Sequence, residues 1–144
     1  MTIHKIIKMG NPLLRENAQA FSKKEIALDR TKQLVKDLWE TMDEYGGIGL
    51  AAPQVGISKQ LAVIKIEEEN DRYPEATSSK EYVIFNPKIK ILDEAPQEFW
   101  EGCLSVPGLR GLVSRPRRIQ VNYLDERAKQ RSLVAEDFLA TVFQ

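Results

Sequence analysis

The sequence predicts an α+β fold, a single domain over residues 1–144, and three patterns carry that prediction. One long stretch behind Ser22 places apolar residues at helical spacing. Runs rich in Val, Ile and Tyr, each short enough for a strand, are separated by turn signals, which makes most of the sheet antiparallel. A final segment has acidic residues first and an apolar face after them, the pattern of a helix that has just begun.

Taken in order, Ile6 and Ile7 lead into Gly10-Asn11-Pro12, a turn whose flanks drape over the core. Ser22 stands three residues before Glu25, the capping-box spacing, and Leu28, Val35, Leu38, Trp39, Met42 and Tyr45 follow on one face. An amphipathic helix over 23–45 is expected, with Trp39 and Met42 in the core rather than around a cofactor. Gly46-Gly47 ends it, because glycine accepts the positive φ of a helix exit. Leu61 to Ile66 reads as a strand, and the polar run from Glu67 to Lys80 as an exposed loop. Tyr82–Phe85 and Ile89–Leu92 read as two strands around a turn at Asn86-Pro87. Arg118–Leu124 alternates cleanly and turns at Asp125-Glu126, and Glu136–Gln144 is the last helix, inside which the chain ends. No repeat and no low-complexity tract interrupts this order.

Bulk properties bound the function. A chain of 144 residues, 42% hydrophobic and 29% charged, can bury one substantial core. Lys plus Arg equals Asp plus Glu at 21 each, so no global field draws the protein to nucleic acid, and a partner must be recognised locally. The cluster Arg115-Pro116-Arg117-Arg118 reads as a solvated loop and strand start rather than as an RNA contact. No long apolar run suggests a leader or a membrane span, so a cytoplasmic protein is expected. One cysteine allows no intrachain disulfide, which suits a reducing compartment.

Two segments carry the chemistry. Gly47-Ile48-Gly49-Leu50-Ala51-Ala52-Pro53-Gln54 is a run of small residues ending in an amide. Small side chains let an extended peptide backbone approach, and Gln54 could donate to a polarised carbonyl oxygen; the same composition also suits a tight turn packed under a sheet. Trp100-Glu101-Gly102-Cys103-Leu104-Ser105-Val106-Pro107-Gly108 sets the lone cysteine beside a carboxylate and a hydroxyl. Cys103 is open to three readings: metal ligand, nucleophile or inert core thiol.

The pair resembles the first two signature motifs of the peptide deformylases, Gly-apolar-Gly-apolar-Ala-Ala-any-Gln and Glu-Gly-Cys-apolar-Ser, in family order. The likeness extends to Gly10–Arg15, Asn86-Pro87, Arg110 and Phe138–Gln144, and so covers essentially the whole chain. That family hydrolyses the N-formyl group from the N-terminal methionine of nascent polypeptides with a divalent metal, iron or zinc. The resemblance therefore implies N-formylmethionyl peptides as substrate, action near the ribosome, and neither membrane nor specific nucleic acid as partner. It implies Cys103 as the thiolate ligand and Gln54 with the Leu104 amide as oxyanion donors. Ile48, Gly49, Gly102 and Arg110 would contact or shape the peptide cleft, and Glu101 would orient its neighbours.

The third family motif, a helical His-Glu-x-x-His, has no counterpart in these 144 residues, whose one histidine is His4. In the family the first of its histidines directly follows the glutamine matched by Gln144, and a catalytic zinc site normally takes three protein ligands. The expectation is a chain cut short of that helix, which alone neither retains metal nor deformylates peptides. Loss of the helix would also bare apolar surface and favour self-association. Two other functions compete: a non-catalytic relative that binds peptide or a protein partner through the cleft, and a metal-free thiol hydrolase, which lacks a base near Cys103.

Overall fold

Ser22 does start a helix in the computed structural model, which describes residues 2–68 and 78–144. Its hydroxyl accepts from Glu25 N at 3.1 Å while the Glu25 carboxylate accepts from Ser22 N at 2.7 Å, the reciprocal cap expected from the spacing. The helix expected over 23–45 is, however, two helices, α1 (Lys23–Ala27) and α2 (Asp29–Glu44), with Leu28 extended between them. At the break Glu25 O accepts from the Thr31 hydroxyl at 2.6 Å and from Leu28 N at 3.2 Å, partners that take the place of the amide a continuous helix would supply. The second helix then restarts with Thr31 N and Lys32 N both donating to Leu28 O. Leu28 and the C-capping Tyr45, expected on the apolar face, are exposed, whereas Val35, Leu38 and Met42 are buried. Gly46, at φ +66°, turns the chain out of α2.

Five strands follow, all antiparallel and side by side in chain order: β1 (Gly49–Ala51), β2 (Leu61–Glu68), β3 (Ser78–Cys103), β4 (Val106–Leu124) and β5 (Gln130–Glu136). The loop expected over Glu67–Lys80 is shorter, since its two ends pair as β2 and β3; positions 69–77 lie outside the described residues. The two strands expected around Asn86-Pro87 are one. Asn86 takes φ +52°, and its amide group clasps Phe21, accepting from Phe21 N and donating to Phe21 O at 2.8 Å each. The dipeptide is thus a bulge, not a turn, and the register skips from Phe85 to Lys88. Before it β3 pairs with β2; after it the ladder runs to β4 alone.

A 26-residue strand is far longer than the usual handful of residues, and further irregularities at Asp93 and Pro96 let it bend. Pro96 lies opposite Pro116 next to such an irregularity, the kind of place in a sheet where proline is tolerated. β5 was absent from the sequence reading. It returns from a turn in which the Asp125 carboxylate accepts from Arg127 N and Lys129 N.

Two apolar clusters result. One joins Ile6, α2 and the start of the sheet through Leu38, Met42, Leu50, Val63 and Phe85. The other lies between β4, β5 and α3 (Asp137–Phe143), with Ile119, Val121, Ala135 and Ala140 at its centre. Ile91, Trp100, Leu109, Leu112 and Phe138 remain exposed along the distal sheet and α3. Among the described residues no helix is long and apolar enough to cross a membrane.

Candidate functional site: the junction of two glycine-bearing segments

The first segment is β1 and the 3₁₀ turn after it, Ala52–Val55. Gly49 and Ala51 pair with Ile64 and Ala62 of β2, while Ile48 is exposed and its carbonyl accepts from Lys65 N at 2.9 Å. Pro53 suits the first turn of the 3₁₀ helix, where its missing amide has no partner to lose. Gln54 comes next. Its Oε1 accepts from Ala51 N at 2.9 Å, which orients the carboxamide and leaves both Nε2 hydrogens to point away from its own backbone.

The second segment is the far end of the β3–β4 hairpin. Cys103 closes β3 with an exposed thiol, Leu104-Ser105 make the turn, and Val106 faces Cys103 across it. Gly102 pairs with Arg110, so Pro107-Gly108-Leu109 are extra residues on β4, looped out with Gly108 at φ +74°. A Cβ placed on Gly102 would lie 3.9 Å from Arg110 Cγ and Nε, in ordinary van der Waals contact with that side chain. Behind this end the Glu101 carboxylate accepts from Arg115 Nε through both oxygens, at 2.8 and 3.0 Å, and holds that guanidinium above its ordinary pKa.

The two segments meet at Gln54. Its Nε2 donates to Cys103 Sγ at 3.6 Å and to the buried Ser105 hydroxyl at 3.3 Å, spanning 49 and 51 residues of sequence. Leu104 drives its side chain against Gly47, where a Cβ would lie 2.8 Å from Leu104 Cδ1. Thus Gln54, Cys103, Leu104 and Gly47 share one place, with Gly102 and Arg110 on the adjoining hairpin, Gly49 on the adjoining strand and Ile48 just before it.

His4 is not part of it. Its backbone donates to Thr41 Oγ1 at 3.0 Å and its ring lies 3.3 Å from Asp37, on α2. A cleft of about 410 Å³ beside it is lined by residues such as Phe21, Thr31, Leu34 and Lys59, and by no residue of the two motif segments. Among the described residues no three His, Cys, Asp or Glu side chains cluster to hold a metal ion. The polar neighbours of the Cys103 sulfur are an amide and, next to it, a hydroxyl, so the donors present do not fit a divalent metal.

The family model described as Polypeptide deformylase matches residues 3–144. The chain belongs to the peptide deformylase family. Among similar curated proteins, a peptide deformylase of Leptospira biflexa serovar Patoc (strain Patoc 1 / Ames) is 42% identical over all of this chain and 80% of its own length. Peptide deformylase 1 of Bordetella pertussis is also 42% identical, over 99% of this chain and 79% of its own. Among solved structures, a Met-Ala-Ser-bound class I type b peptide deformylase from Acinetobacter baumannii superposes with a TM-score of 0.88 at 34% identity, covering 99% of this chain and 89% of that one. An actinonin complex of the Ehrlichia chaffeensis peptide deformylase gives 0.87 at 34% identity, covering 100% and 81%. The α+β deformylase fold expected from the motifs is the fold observed. Membership implies a divalent metal cofactor for the deformylase reaction.

Sequence reading overlooked the contribution of residues 7–9, whose backbone touches both motif segments. Amide groups leave no signature in a sequence. The basic cluster resolves into separate ion pairs, Arg115 with Glu101, Arg117 with Asp137 and Arg118 with Glu136.

Proposed function

We propose that this site serves the deformylase reaction, hydrolysis of the formyl group from the N-terminal methionine of nascent polypeptides, and that the 144 residues supply its peptide cleft and oxyanion donors. Gln54 Nε2 and the Leu104 amide would address the formyl oxygen, where negative charge develops as the carbonyl is attacked. Ile48 and Gly49 would meet the peptide backbone, with Gly102 and Arg110 shaping the opposite wall. Cys103 would be the one metal ligand these residues offer, whether the metal is iron or zinc. The supporting observation is the convergence of Gln54 Nε2 on Cys103 and Ser105. The ligand of the Acinetobacter structure, Met-Ala-Ser, is a peptide of the matching kind.

These 144 residues alone retain no metal at Cys103 and do not deformylate at an enzymatic rate, because one thiolate falls short of the three protein ligands such sites use. The apolar side chains exposed on the distal sheet and α3 favour self-association. Titration of the purified chain with formyl-Met-Ala-Ser, paired with metal analysis after equilibration with Fe²⁺ or Zn²⁺, is the test. Saturable peptide binding with far less than one equivalent of metal is expected. Stoichiometric metal that disappears in Cys103→Ser, or turnover by the chain alone, would overturn the inactive reading; absence of peptide binding would overturn the cleft.

A further inference from the structure

Besides the direct Gln54 side-chain bonds, the two motif segments share a backbone partner outside both. Gln54 follows β1 at one edge of the sheet and Cys103 closes the distal end of β3, whose only ladder there is with β4. Among the described residues no backbone hydrogen bond runs directly between 47–56 and 102–106. A third segment makes both connections. Ile7 N donates to Gln54 O at 2.8 Å and, two residues on, Met9 N donates to Ser105 O at 2.8 Å. Between them the Lys8 ammonium donates to Leu104 O at 3.3 Å.

This segment is itself anchored. Ile6 is 1% exposed in the main core, and His4 N is tied to Thr41 of α2. On the other side Asn11 N donates to Lys8 O at 3.1 Å with Gly10 at φ +95°, closing a turn of the kind that needs a positive φ at its third residue. Residues 7–9 therefore have little freedom to shift. Two carbonyls from segments about fifty residues apart are hung at fixed spacing on one anchored strap.

Granted the peptide-site reading above, we propose that Ile7, Lys8 and Met9 are positioning residues. Their hydrogen bonds set the Gln54 segment against the Leu104–Ser105 turn so that Gln54 Nε2 and the Leu104 amide address one oxygen. Two donors contribute fully to a developing charge only when both lie within hydrogen-bonding distance of it, so a shift of an ångström between the segments would disable one.

Met9 offers a clean test, because its side chain is 63% exposed and it occupies the second position of the turn, where proline is well accepted. Met9→Pro removes the N–H that Ser105 O accepts; Met9→Ala keeps it. Formyl-Met-Ala-Ser is titrated into the wild-type chain and into Met9→Pro, Met9→Ala, Lys8→Met and Lys8→Arg, with the NMR signal of the Gln54 side-chain amide followed in each. Loss of one such bond should weaken binding about two- to tenfold in Met9→Pro and by about two-fold in Lys8→Met. Met9→Ala should match the wild type, Lys8→Arg should restore binding, and the Gln54 signal should move only in the two weakened variants. Wild-type affinity in Met9→Pro and Lys8→Met with an unmoved Gln54 signal would overturn the strap. If the wild-type chain itself fails to bind, the peptide-site reading falls and the Gln54 signal alone decides the strap. If Met9→Pro does not fold, the Lys8 pair decides it.

Discussion

Gln54 and Cys103 stand 3.6 Å apart, amide nitrogen to sulfur, although 49 residues separate them in the chain. The carboxamide faces two ways: Oε1 accepts from Ala51 N, and Nε2 donates across to the sulfur and to Ser105. One end fixes the local 3₁₀ turn and the other end reaches the neighbouring segment. This division of labour separates what Gln54 does for the fold from what it does for the site.

Gln54→Glu should therefore keep the fold and lose the site. A carboxylate still accepts from Ala51 N, but it turns a second acceptor toward Cys103 and Ser105, where a donor stood. Melting temperature should stay within a few degrees while formyl-peptide binding falls at least tenfold, because the donor proposed for the formyl oxygen is replaced by a repulsive acceptor. Gln54→Ala should lose both, the turn bond costing about 1 kcal/mol. Thermal melts paired with peptide titrations separate the two effects.

Gly47 answers to Leu104 rather than to its own backbone. A Cβ there would lie 2.8 Å from Leu104 Cδ1 and 3.4 Å from Met42 Cγ, so Gly47→Ala must push Leu104 aside. Overpacking of this sort costs about 1–3 kcal/mol, and moving Leu104 displaces the turn that carries the amide proposed as the second oxyanion donor. Urea unfolding should show the loss, and Gly47→Ala combined with Leu104→Ala should recover part of it. A double variant no more stable than the sum of the two singles would refute the contact.

What could be read from the sequence divides along physical lines. The Ser22–Glu25 cap, the buried face of Val35, Leu38 and Met42, and the alternation of Arg118–Leu124 were legible because each depends on residues a few positions apart. The break at Leu28 was not, since Thr31 competes for Glu25 O through a hydroxyl that fits a helix equally well. Asn86-Pro87 carries the residues of a turn, and only its distant partner Phe21 makes it a bulge. For the site, spacing alone left Gln54 and Cys103 ambiguous; the family motifs paired them, and their geometry is consistent with that pairing. The role proposed for residues 7–9 stayed invisible because their two shortest bonds to the motif segments come from backbone amides of Ile7 and Met9.

Asn86 gives a prediction of its own. It combines a left-handed backbone, which asparagine tolerates better than most residues, with two side-chain bonds to the Phe21 backbone. Asn86→Ala loses both features and should cost about 2–3 kcal/mol, whereas Asn86→Gly keeps the backbone freedom and should cost less. Phe21 packs edge-on against Phe85 with ring centroids 5.0 Å apart, so its aromatic NMR signals should shift in both variants. Equal stabilities for the two would show that the backbone conformation contributes nothing.

Glu25 should tie stability to acid. Its carboxyl is lowered from 4.5 to about 2, first by the hydrogen bond from Lys59, 2.6 Å away, and next by the Ser22 amide that completes the helix cap. Between those two values the unfolded chain binds a proton that the folded chain refuses. The contribution is thus fully present above about pH 4.5 and disappears as the pH falls toward about 2. Lys59 also lies 4.4 Å from the Phe21 ring centroid, so the pair joins α1 to the segment that Asn86 clasps. Glu25→Gln should be less stable than the wild type by a constant margin from pH 7 to about 5, with the margin shrinking below that. Denaturant melts of both proteins across this range cancel every other carboxylate in the difference. A margin that persists unchanged at pH 2.5 would mean that the folded protein gains nothing from the ionised Glu25.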